Sequence, residues 1–337
     1  NKKFYEKNYS NKSSLGKAFF ILASLLIIGG SGFFGKSILD SYKRKLLKPW
    51  NIDKIIIMSR NPHQLSKDYP ELISDGVEFF AGDVSTVNYL PNADFIIHAA
   101  ASTDASRYLL NDQDEKENII LGTLNYCRLA EEFHKKSRII FCSSGAVYGY
   151  QPESIKFLKE SSLLGDVSKL DSVKRSYAYA KRDSEAAIQR LGQKNINVAV
   201  ARCFSFVGRY LPRNQHFAIG NFIKNGANGS EIKVKAENLV YRSYMYADDL
   251  VDWLLTIADN SSSKCPIYNV GSDKEVEIRD LASLTSQIYN VNVKTVEINN
   301  NAIVDRYVPS LEKAKKELGL ISNYGLKESI LMSIEGH

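Results

Sequence analysis

Leu25-Leu26-Ile27-Ile28-Gly29-Gly30-Ser31-Gly32-Phe33-Phe34-Gly35 decides how the rest of the chain is read. Four apolar residues run into a glycine cluster, and Phe33, Phe34, Ile38 and Leu39 then recur at helical spacing. This order predicts a buried strand ending at Ile28, a tight turn, and a helix beginning near Phe33. Glycine suits a turn whose backbone takes unusual dihedrals or must come close to a ligand. A helix N-terminus pointing out of that turn is an anion site. Two glycine registers fit: G-x-G-x-x-G as Gly30, Gly32 and Gly35, or G-x-x-G-x-x-G as Gly29, Gly32 and Gly35. Both predict a cradle for dinucleotide phosphates.

Outward from this turn, strands and helices alternate. Residues 33–48 carry a helical period that stops at Pro49. Lys54-Ile55-Ile56-Ile57-Met58 reads as a second buried strand, closed by the turn residues Ser59-Arg60-Asn61-Pro62. Gly76 to Val84 predicts a third strand, Asp94 to Ala101 a fourth, Ser137 to Ser144 a fifth and Val198 to Phe204 a sixth. Helices are expected over about 112–134 and 176–192. Apolar strands alternating with helices make a parallel sheet covered on both faces. The expected fold is therefore α/β: a Rossmann-type doubly wound parallel sheet over 15–205. Past that point Pro212, Gly220, Gly226 and Gly229 punctuate shorter elements, predicting a smaller, irregular substrate-binding lobe over 206–337. A helix at 247–258, a strand Ile267–Val270 and a helix at 278–289 follow, and segments about 240–272 are expected to return to the dinucleotide domain.

With 337 residues the chain has room for one large domain or two modest ones. The formal charge of +6 is mildly basic. Its densest runs, Lys43-Arg44-Lys45 with Lys48 and Lys135-Lys136 with Arg138, read as solvated helix faces. No concentrated basic stripe with a matching motif points to nucleic acid, whereas a modest positive field suits an anionic small molecule. Cys127, Cys142, Cys203 and Cys265 lie far apart with no His at ligand spacing, so they read as reduced, mostly buried thiols of a cytoplasmic protein without a metal site. Lysines followed by Ala18 to Ile28 imitate a signal peptide. That run is too short to span a bilayer, and its end is the phosphate turn itself, so no membrane partner is expected. Residues 1–14 read as a polar lead, truncated because no Met begins it, and 15–22 as a short packing helix.

Tyr177-Ala178-Tyr179-Ala180-Lys181 places Tyr177 and Lys181 at i and i+4 on one helical face. A phenol of pKa ~10 is a poor base near neutrality, and a neighbouring ammonium favours its phenolate. The pair is a candidate proton-transfer unit, against the plainer reading of a surface Tyr and a solvated Lys. Ser143-Ser144-Gly145-Ala146-Val147-Tyr148-Gly149 precedes it, setting a hydroxyl at the C-terminal edge of a strand, where doubly wound sheets bind ligands.

At these residues a family resemblance enters. The glycine turn, Gly82-Asp83-Val84, Ile97-His98-Ala99-Ala100, Asn118 with Gly122-Thr123, Ser143-Ser144 through Gly149, and Tyr177 with Lys181 resemble the extended short-chain dehydrogenase/reductase family, in its nucleotide-sugar epimerase/dehydratase branch. The likeness continues through Arg202 to Gly208, Tyr241 to Asp249 and Tyr268-Asn269-Val270-Gly271, covering about residues 22 to 330 in order and favouring the Gly29, Gly32, Gly35 register. It implies Tyr177 as general acid/base, Lys181 holding the nicotinamide ribose and tuning Tyr177, and Ser144 hydrogen-bonding the reacting sugar hydroxyl. It further implies that Gly29, Gly32, Phe33, Phe34, Gly35, Ser59, Arg60, Asp83, Val84, Ala99, Ala100, Ala101, Asn118 and Ser143 border the cofactor. Ser205, standing where an Asn is usual, and Arg242 would meet the substrate, Arg242 at its diphosphate. The plainer reading of Arg242 is a surface ion pair with Asp248 or Asp249. His98 reads as structural, satisfying a backbone hydrogen bond, and His216 as a candidate substrate contact.

Two departures narrow the reading. Where NAD-using relatives place an acid after the second strand, this chain has Ser59 and Arg60. An Arg there suits a 2′-phosphate, so NADP is favoured over NAD. At Gly145-Ala146 the 4,6-dehydratases of the family carry an Asp-Glu pair, and the related decarboxylases also place a Glu; this chain has neither carboxylate. The resemblance therefore implies oxidation and reduction at C4 of a nucleotide-activated hexose through a 4-keto sugar, by a 4-epimerase or 4-ketoreductase. A 4,6-dehydratase and a non-catalytic NAD(P)-binding sensor or scaffold are the alternatives. A homodimer through the 112–134 and 176–192 helices is implied by the family alone.

Overall fold

A computed structural model of the chain describes residues 22–100, 105–213, 217–299 and 301–334. Its first elements are β1 (Ala23–Ile28), α1 (Phe33–Lys43), β2 (Ile52–Ser59), α2 (Pro62–Asp68), β3 (Val77–Ala81) and β4 (Phe95–His98). There follow α3 (Ala105–Phe133), β5 (Arg138–Ser144), α4 (Ser172–Gln193), β6 (Val198–Cys203), β7 (Phe206–Val207), α5 (Ala218–Ala227) and β8 (Ile232–Val234). Next come β9 (Val240–Ser243), β10 (Met245–Tyr246), α6 (Ala247–Asp259), β11 (Ile267–Val270) and β12 (Glu275–Glu277). The last are α7 (Ile278–Tyr289), β13 (Val293–Thr295), β14 (Asp305–Tyr307), α8 (Glu312–Leu318) and α9 (Leu326–Met332).

Seven strands form one parallel sheet in the order β11-β6-β5-β4-β1-β2-β3. Continuous apolar runs suit this sheet because helices cover both faces. Leu25 and Ile27 point to a core shared with Ile38 and Leu39 of α1 and Trp253 and Leu254 of α6. Leu26 and Ile28 point the other way, against Tyr126 and Leu129 of α3 and Ile188 and Leu191 of α4. Strand β1 pairs with β2 on one side and β4 on the other. The order reverses there, and such a switch point opens a crevice at the C-terminal strand ends.

A smaller group of elements has its own core, built on Ile219, Phe222 and Ile223 of α5, Leu281 of α7 and Ile330 of α9. A three-stranded ribbon, β12-β9-β14, stands beside it. Strand β11 and helix α6, late in the chain, belong to the large sheet and its core.

Element ends move where packing overrides local pattern. Helix α1 stops at Lys43 instead of running to 48, because Lys45 takes a left-handed φ of 62° and turns Leu47 into the core. Strand β4 stops at His98, short of Ala101. The 1–14 lead, nearly all of the 15–22 helix, Ala101 and His216 lie outside the described residues. Among the described residues no helix is long and apolar enough to cross a membrane.

Candidate active site

Gly29 and Gly30 donate their N–H groups to the Met58 carbonyl at 2.9 and 3.0 Å, tying the turn to the end of β2. Gly29 has φ 85°, and a Cβ there would lie 2.7 Å from Ala100 Cα. A Cβ on Gly35 would run into the Gly30 carbonyl. Only hydrogen at these positions allows so close an approach of three backbone segments, with the α1 N-terminus opening from them. The residues present thus fit the pyrophosphate of a dinucleotide. Phe33 and Phe34 contribute backbone here, since their rings pack on Phe206 at 6.4 and 5.3 Å.

Beside the turn, Ser31, Lys36, Ser59, Arg60, Asn61, Gln64, Leu65, Asp68 and Tyr69 line a cavity of about 320 Å³. Lys36 Nζ lies 4.1 Å over the Tyr69 ring. The Ser59 hydroxyl is buried with no hydrogen-bond partner among the described residues. Asp83 accepts from the Ser85 N–H and hydroxyl at 2.9 and 2.7 Å. Burial pushes its pKa up, but those two bonds and the Arg60 charge prevail and hold it low. Val84 is pinned through its carbonyl by Asn125 at 2.8 Å, and Gly122 leaves room for its side chain. Asn118 lies exposed on α3.

The Asp171 carboxylate caps α4, accepting from Lys174 N at 2.9 Å, and this sets the helix that carries Tyr177 and Lys181. Lys181, only 2% exposed, reaches from α4 to β5 and donates to the Cys142 carbonyl at 2.9 Å. Its Nζ is 5.7 Å from the centre of the half-buried Tyr177 ring. Burial pushes the Lys181 ammonium down to about 8, against the upward pull of Cys142, Cys203 and Glu185. The lysine thus ties Tyr177 to the strand that ends in Ser144. Ser144 accepts from Ala146 N at 3.1 Å, capping the short 3-10 turn Gly145–Tyr148.

Behind this edge lies a polar network that sequence reading missed. Ser143 donates to Glu185 at 2.5 Å, and Arg202 binds the same carboxylate at 3.1 and 2.8 Å. The Ser143 hydroxyl therefore faces the interior. The Arg202 guanidinium lies 4.8 Å from the Tyr148 ring, and Tyr148 donates to Asn269 at 2.7 Å. Glu185 stands one turn beyond Lys181, a spacing that could have flagged it.

On the ribbon, Arg242 pairs with Asp305 at 2.7 Å, so the plainer alternative, an ion pair with Asp248 or Asp249, does not form. Arg44 takes Asp248, and Asp249 accepts from the Asn323 backbone at 2.9 Å. The ribbon explains this: β9 pairs with β14 and brings Asp305 alongside. Ser205 accepts from Met245 N through its carbonyl at 3.0 Å. Tyr307, of β14, places its hydroxyl 3.5 Å from the Cys203 carbonyl. Burial raises its pKa well above the ordinary tyrosine value, with Ser144 and Arg242 pulling it back. His98 departs from expectation: neither ring nitrogen has a partner among the described residues. The ring is instead packed 4.9 Å from Tyr126 and 5.3 Å from Phe141, and burial next to the Lys181 charge lowers its pKa to about 3. No group of three or more metal-ligating side chains is placed to hold a metal ion among the described residues.

Comparison with known proteins places this geometry. A family model described as the NAD dependent epimerase/dehydratase family matches residues 25–271. UDP-glucuronic acid decarboxylase 5 of Arabidopsis thaliana is 27% identical over 310 residues, covering 91% of this chain and 86% of its own. UDP-glucuronic acid decarboxylase 1 of Xenopus tropicalis is 27% identical over 322 residues, covering 92% and 71%. Among solved structures, UDP-glucose 4-epimerase of Thermotoga maritima with UDP-glucose superposes with a TM-score of 0.76 at 18% identity, covering 93% of this chain and 97% of its own. A dTDP-glucose 4,6-dehydratase double mutant of Streptomyces venezuelae with NAD bound gives 0.76 at 21% identity, covering 92% and 95%.

Proposed function

The chain belongs to the NAD dependent epimerase/dehydratase family, part of the extended short-chain dehydrogenases/reductases, and we propose that it oxidises or reduces C4 of a nucleotide-activated hexose as a 4-epimerase or 4-ketoreductase. One observation supports this reading: Lys181 reaches from α4 to the Cys142 carbonyl on the strand that ends in Ser144, with Tyr177 one turn before it on the same helix, while Gly145 and Ala146 present no carboxylate for elimination. NAD(P), when bound, supplies hydride acceptance and donation. Tyr177 takes the C4 hydroxyl proton as hydride leaves that carbon, and returns it on reduction. Lys181 holds the ribose, and its charge favours the Tyr177 phenolate. Ser144 hydrogen-bonds the C4 oxygen, and Arg242 meets the diphosphate from the smaller lobe.

The test is mass spectrometry of nucleotide sugars incubated with the purified protein, alongside Tyr177→Phe. The native protein should convert one of them, and Tyr177→Phe should lose at least about a hundredfold in rate while still binding the dinucleotide. Inactivity of the native protein across the panel would leave a non-catalytic binding protein. A second reading has support from the decarboxylase relatives. Oxidation at C4 of a nucleotide-bound hexuronic acid would make a β-keto acid, whose C5–C6 bond breaks with loss of CO₂ and protonation at C5; return of the hydride and proton at C4 would then give the nucleotide pentose. UDP-glucuronic acid therefore belongs in the panel, and a UDP-pentose product would select this reading.

Arg60 and Lys36 at the 320 Å³ cavity support NADP as the preferred cofactor. Arg60→Ala should weaken NADP binding by roughly tenfold or more and leave NAD unchanged; equal loss for both would overturn the preference. Exposed Leu121 and Leu124 on α3 and Tyr179 on α4 support pairing of two copies through these helices, which light scattering would read.

A further inference from the structure

Gly145 and Tyr307 are distant in sequence and compete for one volume. A Cβ on Gly145 would lie 2.6 Å from the Tyr307 hydroxyl and 2.7 Å from Phe204 Cζ. The Tyr307 ring stacks against Phe204 with centroids 4.6 Å apart. Its hydroxyl reaches the carbonyl of Cys203, the residue paired with Ser144 across β5 and β6. A phenol delivered by β14 thus stands at the C-terminal strand edge, in the place where an acid at position 145 would project. Arg242, opposite Tyr307 across β9 and β14, lies 6.0 Å from its ring centre and pairs with Asp305, two residues before Tyr307 on β14.

We propose that Tyr307 is a positioning residue for Ser144: its hydroxyl fills the side-chain volume of position 145, fixes the orientation of the Ser144 hydroxyl, and bars a carboxylate from that position. Glycine at 145 is then the partner of a tyrosine on another element, not the mere loss of an acid. A phenol kept protonated by burial donates or accepts a hydrogen bond but is not the anion that elimination requires. The arrangement holds a carbinol without a nearby carboxylate base. Its kinetic consequence rests on the C4 chemistry proposed above; the interlock of Gly145 with Tyr307 does not.

Two thermal-unfolding cycles on the full chain, without substrate, test the interlock. Gly145→Ala should lower Tm, and most of that loss should vanish in a Tyr307→Ala background, where Phe204 can also move. Should Tyr307→Ala not fold, Tyr307→Phe takes its place in the cycle. Ser144→Ala and Tyr307→Phe should likewise be non-additive. Additive effects in both cycles would overturn the proposal. Kinetics test the orientation: with the nucleotide sugar the native enzyme converts, Tyr307→Phe should lower kcat by roughly five- to tenfold with KM unchanged and Tm kept. Unchanged kcat, or a rise in KM alone, would overturn that part. A native enzyme that converts no nucleotide sugar would sink the proposed function, leaving the two unfolding cycles to decide the interlock.

Discussion

The seven-stranded sheet and the β12-β9-β14 ribbon hold their polar residues by different physics. In the sheet, β4, β5 and β6 are buried almost throughout, and polar groups there are paired across elements: Glu185 serves both Ser143 and Arg202, and Lys181 reaches a strand carbonyl. In the ribbon, residues are half-buried and held by ion pairs, Arg242 with Asp305, Arg306 with Glu275 and Arg279 with Glu277. A change in the buried sheet strands an uncompensated group, whereas Asp305, 44% exposed, is screened by water. Substitutions at the buried sheet edge should therefore cost more stability than substitutions at the exposed end of the ribbon.

The largest break should come at the glycine turn. Gly35→Ala drives a Cβ into the Gly30 carbonyl, and should cost more than about 3 kcal/mol in thermal unfolding and abolish dinucleotide binding in a titration. Dinucleotide binding that survives would mean the cradle is softer than its packing implies. Glu185→Ala should cost about 3–5 kcal/mol, because it leaves Arg202 buried without its partner.

His98 sharpens the contrast through pH. Its pKa falls from an ordinary 6.5 to about 3 in the folded protein, so between those values the unfolded chain binds the extra proton. Stability present above pH 6.5 is lost as pH falls through that window. His98→Leu, which loses no side-chain hydrogen bond among the described residues, should gain on the order of 3 kcal/mol at pH 4 relative to the native chain and almost nothing at pH 8. A parallel pair of stability–pH curves would contradict the buried, neutral ring. The smallest effect belongs to the ribbon: Asp305→Asn should cost less than about 1 kcal/mol, Asp305 being 44% exposed. A loss equal to that of Glu185→Ala would erase the difference between sheet and ribbon.

Much of the sheet half is legible because its causes are local. Short apolar runs bounded by turn-forming or small residues mark most of β1 to β6, and the one-turn spacing of Tyr177 and Lys181 marks a helix face. Glu185 was equally legible by spacing, yet its role appears only once Arg202 and Ser143 stand around it. The early end of α1 was not legible, since nothing near Lys45 marks its left-handed turn except the core waiting for Leu47. Nor was the loneliness of His98, whose ring neighbours arrive from α3 and β5.

By itself, then, the sequence marked the glycine turn, the alternation of strands and helices, and the one-turn spacing of Tyr177 and Lys181, because each is read from residues near one another in the chain. Tertiary structure alone decided that Arg242 answers Asp305 and that Tyr307 occupies the space of position 145. Those outcomes depend on β14 lying beside β9 and on where that ribbon meets the end of the sheet. Contacts between segments so far apart are set by which volumes remain once the cores are packed, and no local pattern of residue types encodes a volume.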